Sequence, residues 1–220
     1  MSARLRRPLL LVPVALVWLA IGSAPVGATS TFSRDLYFDG SWEHQVDSRT
    51  CTAASVAIME NLIAGHDLGL NQMTILRYEQ PRDALNDSVQ RGSDPLGWSR
   101  AATYFSASTL SPTTYRWEAY ATKRAALQRA GLQLAVTGKP VGFLVLHGQH
   151  AVVMTGFTSL GNPRSGTFTV LNVAVSDPDG SRHQWYTAGT SPLNTYLETD
   201  ATATYDKAWY GKYVIIVPLA

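Results

Sequence analysis

The chain holds one cysteine among its 220 residues, Cys51, in the stretch DSRTCTAAS. The thiolate form of cysteine is the nucleophile, and the free N–H groups and dipole at a helix start favour an anion there. Ala54, Ile58 and Leu62 follow on one helical stripe, which predicts that Cys51 lies at such a start. Two interpretations remain open: a reactive thiol, and a buried, inert cysteine that serves as a small hydrophobic residue.

A cysteine nucleophile needs a base, usually a histidine that is close in space rather than in sequence. His150 has the most suitable context, because it opens the apolar stretch HAVVMTGF where a turn meets a predicted strand. His147, at the end of the preceding predicted strand, is its main competitor. For either histidine taken alone, a partly buried structural role is the favoured interpretation. The remaining histidines are His44, His66 and His183.

Asp177 has the position expected of a residue that orients the histidine. It lies in VLNVAVSDPDG, where a predicted strand ends in a turn that contains proline. If the strands at 150–157 and 167–176 pair, Asp177 comes near the start of the first, where its carboxylate could fix the imidazole tautomer. The alternative is a turn aspartate, since Asp-Pro-Asp-Gly favours a turn by itself. Asn172 is a weaker candidate because it lies in mid-strand.

Gln45 lies six residues before Cys51, on the loop that leads into the predicted helix. Its side-chain amide could donate a hydrogen bond to an oxyanion, beside the backbone N–H of Cys51. A glutamine in a loop indicates nothing by itself. The informative feature is the order in which Gln45, Cys51, His150 and Asp177 occur together.

Helical patterns dominate the first two thirds of the chain, after an extended entry segment at 29–46. The helix at 52–64 has Asp47 and Ser48 as candidate caps and Gly65 as a stop signal. Three further stretches predict helices, the first of them weakly: LNQMTILRYEQ, GSDPLGWSRAATYFSA and TKRAALQRAGLQLAVTG.

Strand patterns dominate the last third of the chain. Strands are predicted at TTYRWEAYA, PVGFLVLHG, HAVVMTGF, GTFTVLNVAVSDP and YGKYVIIVPLA, and more weakly at RHQWYTAG. Helices that come first and strands that mostly come later predict an α+β fold. In that fold an antiparallel sheet from the second half packs on the helices of the first.

The N-terminus reads as a secretory signal peptide. Three arginines precede an apolar run from Pro8 to Gly22, and Val26 and Ala28 are the small residues before a cleavage point after Ala28. We therefore expect residues 1–28 to be a leader and residues 29–220 to form one mature domain, secreted or held in the cell envelope. An uncleaved N-terminal anchor is the alternative, although the apolar run is short and Pro13 interrupts it.

The charge balance does not indicate a basic face for nucleic acid. Without the three leader arginines the mature chain has 15 basic and 16 acidic side chains, so its net charge is close to −1. We also expect no cofactor, no stable membrane association after cleavage, and a monomer. Export makes the lone cysteine informative, because cysteines usually pair in an oxidising compartment and this one has no partner in its own chain.

The chain resembles the C39-like branch of the papain-like cysteine peptidases in three short blocks. HQVDSRTCTAASVAIMENLI resembles the Gln–loop–Cys–helix block of that family, GQHAVVMTGF its histidine strand, and VSDP its Asp-Pro block. The resemblance implies a papain-like fold in which N-terminal helices pack on a C-terminal antiparallel sheet. It also implies Cys51 as nucleophile, His150 as base, Asp177 as orienter and Gln45 in the oxyanion hole.

The implied reaction is acyl transfer on a peptide or protein substrate. The sequence departs from the family at Thr52-Ala53, where Gly or Trp often follows the cysteine, and at SLGNPRSG, which reads as a hairpin insertion between the histidine and the aspartate. Neither departure removes a catalytic group, but both leave the substrate class open. Relatives with this fold include transglutaminase-like and acyl-transferring enzymes, so peptide hydrolysis is not the only reaction implied.

Three other interpretations compete with an enzyme. His147, His150, Asp177 and Asp179 could bind zinc or calcium, although the flanking patterns predict strands and DPDG lacks the remaining ligands of a calcium loop. The chain could be a non-catalytic exported binding module on a papain-like fold. Cys51 could also form an intermolecular disulfide, which would require it to be exposed.

Overall fold

The computed structural model describes residues 30–84, 92–199 and 208–220. The predicted leader, 1–28, lies outside these residues. The helices are α1 (Cys51–Ala64), α2 (Gln72–Glu79), α3 (Pro95–Ser106), α4 (Lys123–Thr137) and α5 (Ser191–Tyr196). The strands are β1 (Thr31–Asp35), β2 (Tyr115–Tyr120), β3 (Val141–Val145), β4 (His150–Leu160), β5 (Thr169–Ser176), β6 (Gln184–Thr187) and β7 (Tyr213–Pro218).

All seven strands join one antiparallel sheet in the order β2-β7-β3-β4-β5-β6, with β1 paired to β4. The eleven residues of β4 let it pair with β3 through its first half and with β1 through its second half. The predicted α+β class, with an antiparallel sheet built mainly from the second half of the chain, is confirmed. The predicted pairing of the histidine strand with the strand before Asp177 is also present, as β4 with β5.

Helices cover both faces of this sheet. Alternate residues of β3 and β4 face opposite sides, as the period of two in a strand requires. One set, which includes Phe143 and Val152, packs with α4 and with Leu193 of α5, and the other set, which includes Val153, packs with α1, α2 and α3. The sequence patterns had predicted a sheet and helices but not that α4 would lie across the sheet from the first three helices.

Helix α1 is the central helix of the fold. Its residues from Cys51 to Asn61 are all buried, so the single stripe seen in the sequence underestimates how much of its surface is covered. Small side chains make this possible, because Ala53, Ala54 and Ala57 have no exposed area and allow neighbouring backbones to approach closely. The helix ends at Gly65, whose left-handed φ of 76° closes the last turn through a hydrogen bond to Asn61.

The predicted caps of α1 are wrong. Thr50 is the N-cap residue, and no side chain caps the helix. The carboxylate of Asp47 accepts hydrogen bonds from the backbone N–H and the guanidinium of Arg49 instead, while the Thr50 hydroxyl donates to the carbonyl of Asp47. By contrast, Asp94 caps α3, since its Oδ1 accepts from the N–H groups of Leu96 and Gly97.

Two elements were not predicted from the sequence. Strand β1 lies within the segment that was read only as extended, and it is a strand because β4 is long enough to offer it a partner. Helix α5 is a six-residue helix with Pro192 in its first turn. It is too short to give a helical period, and the burial of Leu193 against the sheet holds it in place.

Candidate active site

Cys51 and His150 meet because α1 packs directly on β4. Ser55, one turn after Cys51, donates a hydrogen bond of 3.2 Å from Oγ to the carbonyl of Ala151, the residue after His150. Both partners of this bond are buried, and Ala53 and Ala151 lie in the same apolar cluster as Cys51. The bond therefore ties the start of the helix to the start of the strand.

Asp177 directly follows β5, whose register sets its position beside His150. Val153 pairs with Ser176 in an antiparallel register, so Asp177 lies near the start of β4. His150 Nε2 and Asp177 Oδ1 are 2.7 Å apart, and the two side chains are only 12% and 18% exposed. Because Nε2 is occupied by Asp177, Nδ1 is the ring nitrogen that remains for Cys51.

The charge state of His150 follows from these neighbours. Burial lowers the pKa of His150, but its hydrogen bond to Asp177, its interaction with Cys51 and the negative charge of both groups outweigh burial and raise the pKa to about 9. Burial alone would raise the pKa of Asp177, but hydrogen bonds from His150 and Tyr196 and the charge of His150 lower it overall. At neutral pH the pair is therefore an imidazolium and a carboxylate.

The first turn of α1 offers unpaired backbone donors next to the sulfur. Within the described chain, the N–H groups of Cys51, Thr52 and Ala53 donate to no other residue, and the first backbone bond of the helix runs from Ala54 to Thr50. No acidic side chain lies in this turn. Since Thr50 does not cap the helix either, these donors remain free to interact with an anion.

Gln45 lies on a segment that is fixed from two sides. Its backbone N–H donates to the carbonyl of Pro178 at 2.9 Å, which links it to the Asp177 turn. Gln72 of α2 holds the residues before and after Gln45. Its side chain accepts a hydrogen bond from Val46 N–H at 3.0 Å and donates one to His44 C=O at 2.7 Å. Gln45 is 8% exposed, and its side-chain Oε1 has no hydrogen-bond partner among the described residues.

Three residues that support this arrangement were missed by sequence reasoning. Gln72 is a buried amide at the start of a helix, Trp42 donates from its indole to the carbonyl of Asp177 at 2.9 Å, and Tyr196 donates from its hydroxyl to Asp177 Oδ2 at 2.5 Å. Their partners are 19 to 135 residues away in the chain. No local pattern could have revealed such contacts.

The other residues considered as base or orienter make no hydrogen bond to the His150–Asp177 pair in the described chain. His147 has a left-handed backbone and faces Glu198 at 3.1 Å, with a side chain that is 56% exposed. Asn172 bonds to Thr158 and Thr187 rather than to a histidine. Across 30–84, 92–199 and 208–220, no group of three or more His, Cys, Asp or Glu side chains is placed to hold a metal ion.

The geometry provides a thiol, an imidazole and a carboxylate that interact in that order, with free backbone donors at the start of α1. An imidazole placed in this way can exchange a proton with Cys51 Sγ while the carboxylate stabilises its charged form. The free N–H groups at the start of α1 could bind a negative oxygen. The helices in the described part of the chain are all too short or too polar to span a membrane.

Comparison with known proteins finds similarity among solved structures. No protein-family model matches the chain, and no curated protein matches its sequence. Among solved structures, the peptidase domain of Streptococcus ComA, a bifunctional ABC transporter involved in a quorum-sensing pathway, is similar with a TM-score of 0.41 and 13% identity. The similarity covers 80% of this chain and 97% of that one. At this level no function is transferred to this chain.

Proposed function

We propose that this chain is an exported cysteine peptidase-like hydrolase of the papain-like, C39-like type, which acts on a peptide or protein substrate. The observation that carries the proposal is His150, which is bonded through Nε2 to Asp177 and interacts with Cys51 at the start of α1. An imidazole held between a thiol and a buried carboxylate is the arrangement that cysteine nucleophiles require. The sequence resemblance in three blocks supports the same roles.

In this mechanism Cys51 Sγ attacks the substrate carbonyl carbon, and the carbonyl electron pair moves to the oxygen. The Cys51 N–H and the Gln45 side-chain amide stabilise that oxyanion. His150, protonated at pH 7 because its pKa is about 9, gives its proton to the leaving amine as the C–N bond breaks. His150 then takes a proton from water, whose oxygen attacks the thioester, and the C–S bond breaks to release a carboxylic acid and regenerate the thiolate.

Export and domain limits belong to the same proposal. Residues 1–28 act as the leader and residues 29–220 as one mature domain that works outside the cytoplasm or in the cell envelope, without a cofactor and as a monomer. The near-neutral charge of the mature chain is consistent with a peptide substrate rather than a nucleic acid. The reaction class is acyl transfer, with water as the acceptor.

The proposal is tested by the alkylation of Cys51 with iodoacetamide as a function of pH. Wild-type protein should react rapidly at pH 6, because the cationic His150 stabilises the anionic sulfur. His150→Ala should react at pH 6 at least tenfold more slowly, since one lost charge interaction of about 1.4 kcal/mol corresponds to that factor. His147→Ala is the matched control and should behave as the wild type.

A peptide library then tests turnover. Cleavage by the wild type that disappears in Cys51→Ala supports the hydrolase. A thiol that reacts equally slowly in the wild type and in His150→Ala, together with no cleavage, would reject the enzyme and leave the non-catalytic binding module as the better description.

A further inference from the structure

One side chain of helix α5 contacts Asp177 of the His150–Asp177 pair, and no local sequence pattern indicates this contact. Tyr196, the last residue of this helix, donates from its hydroxyl to Asp177 Oδ2 at 2.5 Å. The other oxygen, Oδ1, faces His150 Nε2 at 2.7 Å and also accepts from the backbone N–H of Asp179 at 2.9 Å. Each oxygen of the carboxylate therefore has its own partners.

We propose that Tyr196 is a positioning residue for the His150–Asp177 pair, which holds Oδ2 so that Oδ1 stays directed at Nε2. This inference rests on the proposed function of that pair. A carboxylate attached through Cβ can rotate about its last bond, and rotation would exchange or withdraw the oxygen that faces the imidazole. A donor on Oδ2 removes this freedom, because rotation would break the Tyr196 bond and the Asp179 bond together.

The surroundings of Tyr196 fit this role. Leu193 and Leu197, on either side of it in the chain, are each 2% exposed and anchor the short helix in the core. The Tyr196 ring stacks against Tyr186 of β6 at a centroid distance of 5.6 Å and an interplanar angle of 18°. The ring that carries the hydroxyl is therefore held in place by the buried helix and by the stacked Tyr186. A tyrosine on the surface would not be held in this way.

The hydroxyl also remains a donor at every pH at which the protein would work. Burial, then the charge of Asp177 and the hydrogen bond to it, raise the pKa of Tyr196 far above its ordinary value. The hydrogen bond from Tyr196 in turn helps to lower the pKa of Asp177. Asp177 therefore stays ionised while the bond holds it in place.

The first test is NMR titration of His150 in Tyr196→Phe. Loss of one hydrogen bond to a charged group should lower the pKa of His150 by about one pH unit, as the carboxylate samples orientations away from the ring. Tyr186→Phe is the matched control, because Tyr186 stacks on the same ring yet its hydroxyl makes no hydrogen bond to Asp177 in the described chain; it should leave the titration unchanged. In the Asp177→Asn background, Tyr196→Phe should have no further effect.

A readout of function accompanies the titration. Turnover should fall about tenfold in kcat with little change in KM, because Tyr196 acts on the reacting pair and not on substrate binding. A His150 titration in Tyr196→Phe that superimposes on the wild type would overturn the inference. Failure of the proposed function would instead appear as Cys51 alkylation at the same rate in the wild type and in His150→Ala. The His150 titration would still report on Tyr196 in that case.

A second measurement applies if Tyr196→Phe does not fold. With 3-fluorotyrosine placed at position 196, the fluorine resonance should shift as the His150–Asp177 pair titrates, and the response should vanish in Asp177→Asn. A resonance that does not respond to that titration in the folded protein would equally reject the positioning role.

Discussion

His150 is subject to three constraints at once: Asp177 occupies its Nε2, Cys51 interacts with the ring, and its side chain is only 12% exposed. The first two favour the charged ring and the third opposes it. The hydrogen bonds and charges outweigh burial, and the pKa is raised to about 9. The pair therefore differs from an isolated buried histidine, which would be neutral at pH 7.

Asp177→Asn tests this balance. The amide keeps the size of the side chain but removes its negative charge, so burial should now dominate and bring the pKa of His150 from about 9 to its ordinary value of about 6.5 or lower. Histidine resonances followed by NMR from pH 4 to 10 would measure the change. Asp179→Asn, in the same turn, is the control and should leave the titration in place; a similar shift in both variants would contradict the assignment.

At the scale of elements, α1 is held at its start by a buried carboxyl group. Thr52, next to Cys51, donates to Oε2 of Glu79 at 2.7 Å, and Glu79 lies at the end of α2 with no exposed area. Burial raises the pKa of Glu79 to about 8, and the charges of Asp83 and Asp94 add to this, while the Thr52 bond opposes it. The folded protein therefore holds Glu79 neutral at pH 7.

The stability of the protein should depend on pH through Glu79. Its folded pKa of about 8 is raised above the ordinary value of 4.5, so this stabilisation is fully present below pH 4.5 and is lost as the pH rises to about 8. The slope between these two pKa values is about 1.4 kcal/mol per pH unit. In Glu79→Gln, which cannot ionise, the free energy of unfolding measured in urea should fall less between pH 5 and 7.5 than in the wild type.

Asp39→Asn removes an exposed carboxyl group and serves as the control for that experiment. It should reproduce the pH dependence of the wild type. If Glu79→Gln also keeps the wild-type slope, Glu79 is ionised in the folded state and the contact with Thr52 is an ordinary charged hydrogen bond.

At the scale of the whole molecule, a tryptophan of α3 packs the helical layer closely against β3 of the sheet. Trp98 of α3 is fully buried in the cluster that contains Cys51, and its ring lies over Gly142 of β3. A Cβ at position 142 would lie 2.4 and 2.6 Å from two carbons of that ring. Glycine is required there because the ring occupies the space of a side chain.

Gly142→Ala should therefore destabilise the whole fold by about 2 kcal/mol, the usual cost of overpacking in a core. Chemical denaturation would show a lower midpoint with an unchanged slope. Gly40→Ala is the control, since Gly40 is exposed and its nearest neighbour atom, in the Phe38 ring, is 3.3 Å from the added Cβ. Equal stability of the two variants would show that α3 can move away from the sheet without cost.

Much of the fold could be predicted because its long elements carry local signals. The helix after Cys51, the cap at Asp94 and the strands at β3, β4, β5 and β7 follow from residue spacing and turn chemistry. The predicted caps Asp47 and Ser48 were wrong because Arg49 competes for the Asp47 carboxylate, a choice that depends on loop conformation. Strand β1 and helix α5 exist only through their tertiary partners.

The sequence by itself determined which groups are available: one thiol at a helix start, a histidine that opens a strand, and an aspartate that ends the next strand. Period-two and helical spacing are local properties, so these positions can be read from the chain. Only the tertiary structure decided that His150 rather than His147 faces Asp177 and that Tyr196 holds the second oxygen. Those choices depend on strand register and on contacts between distant segments, and a shift of one residue in register would turn each side chain to the opposite face.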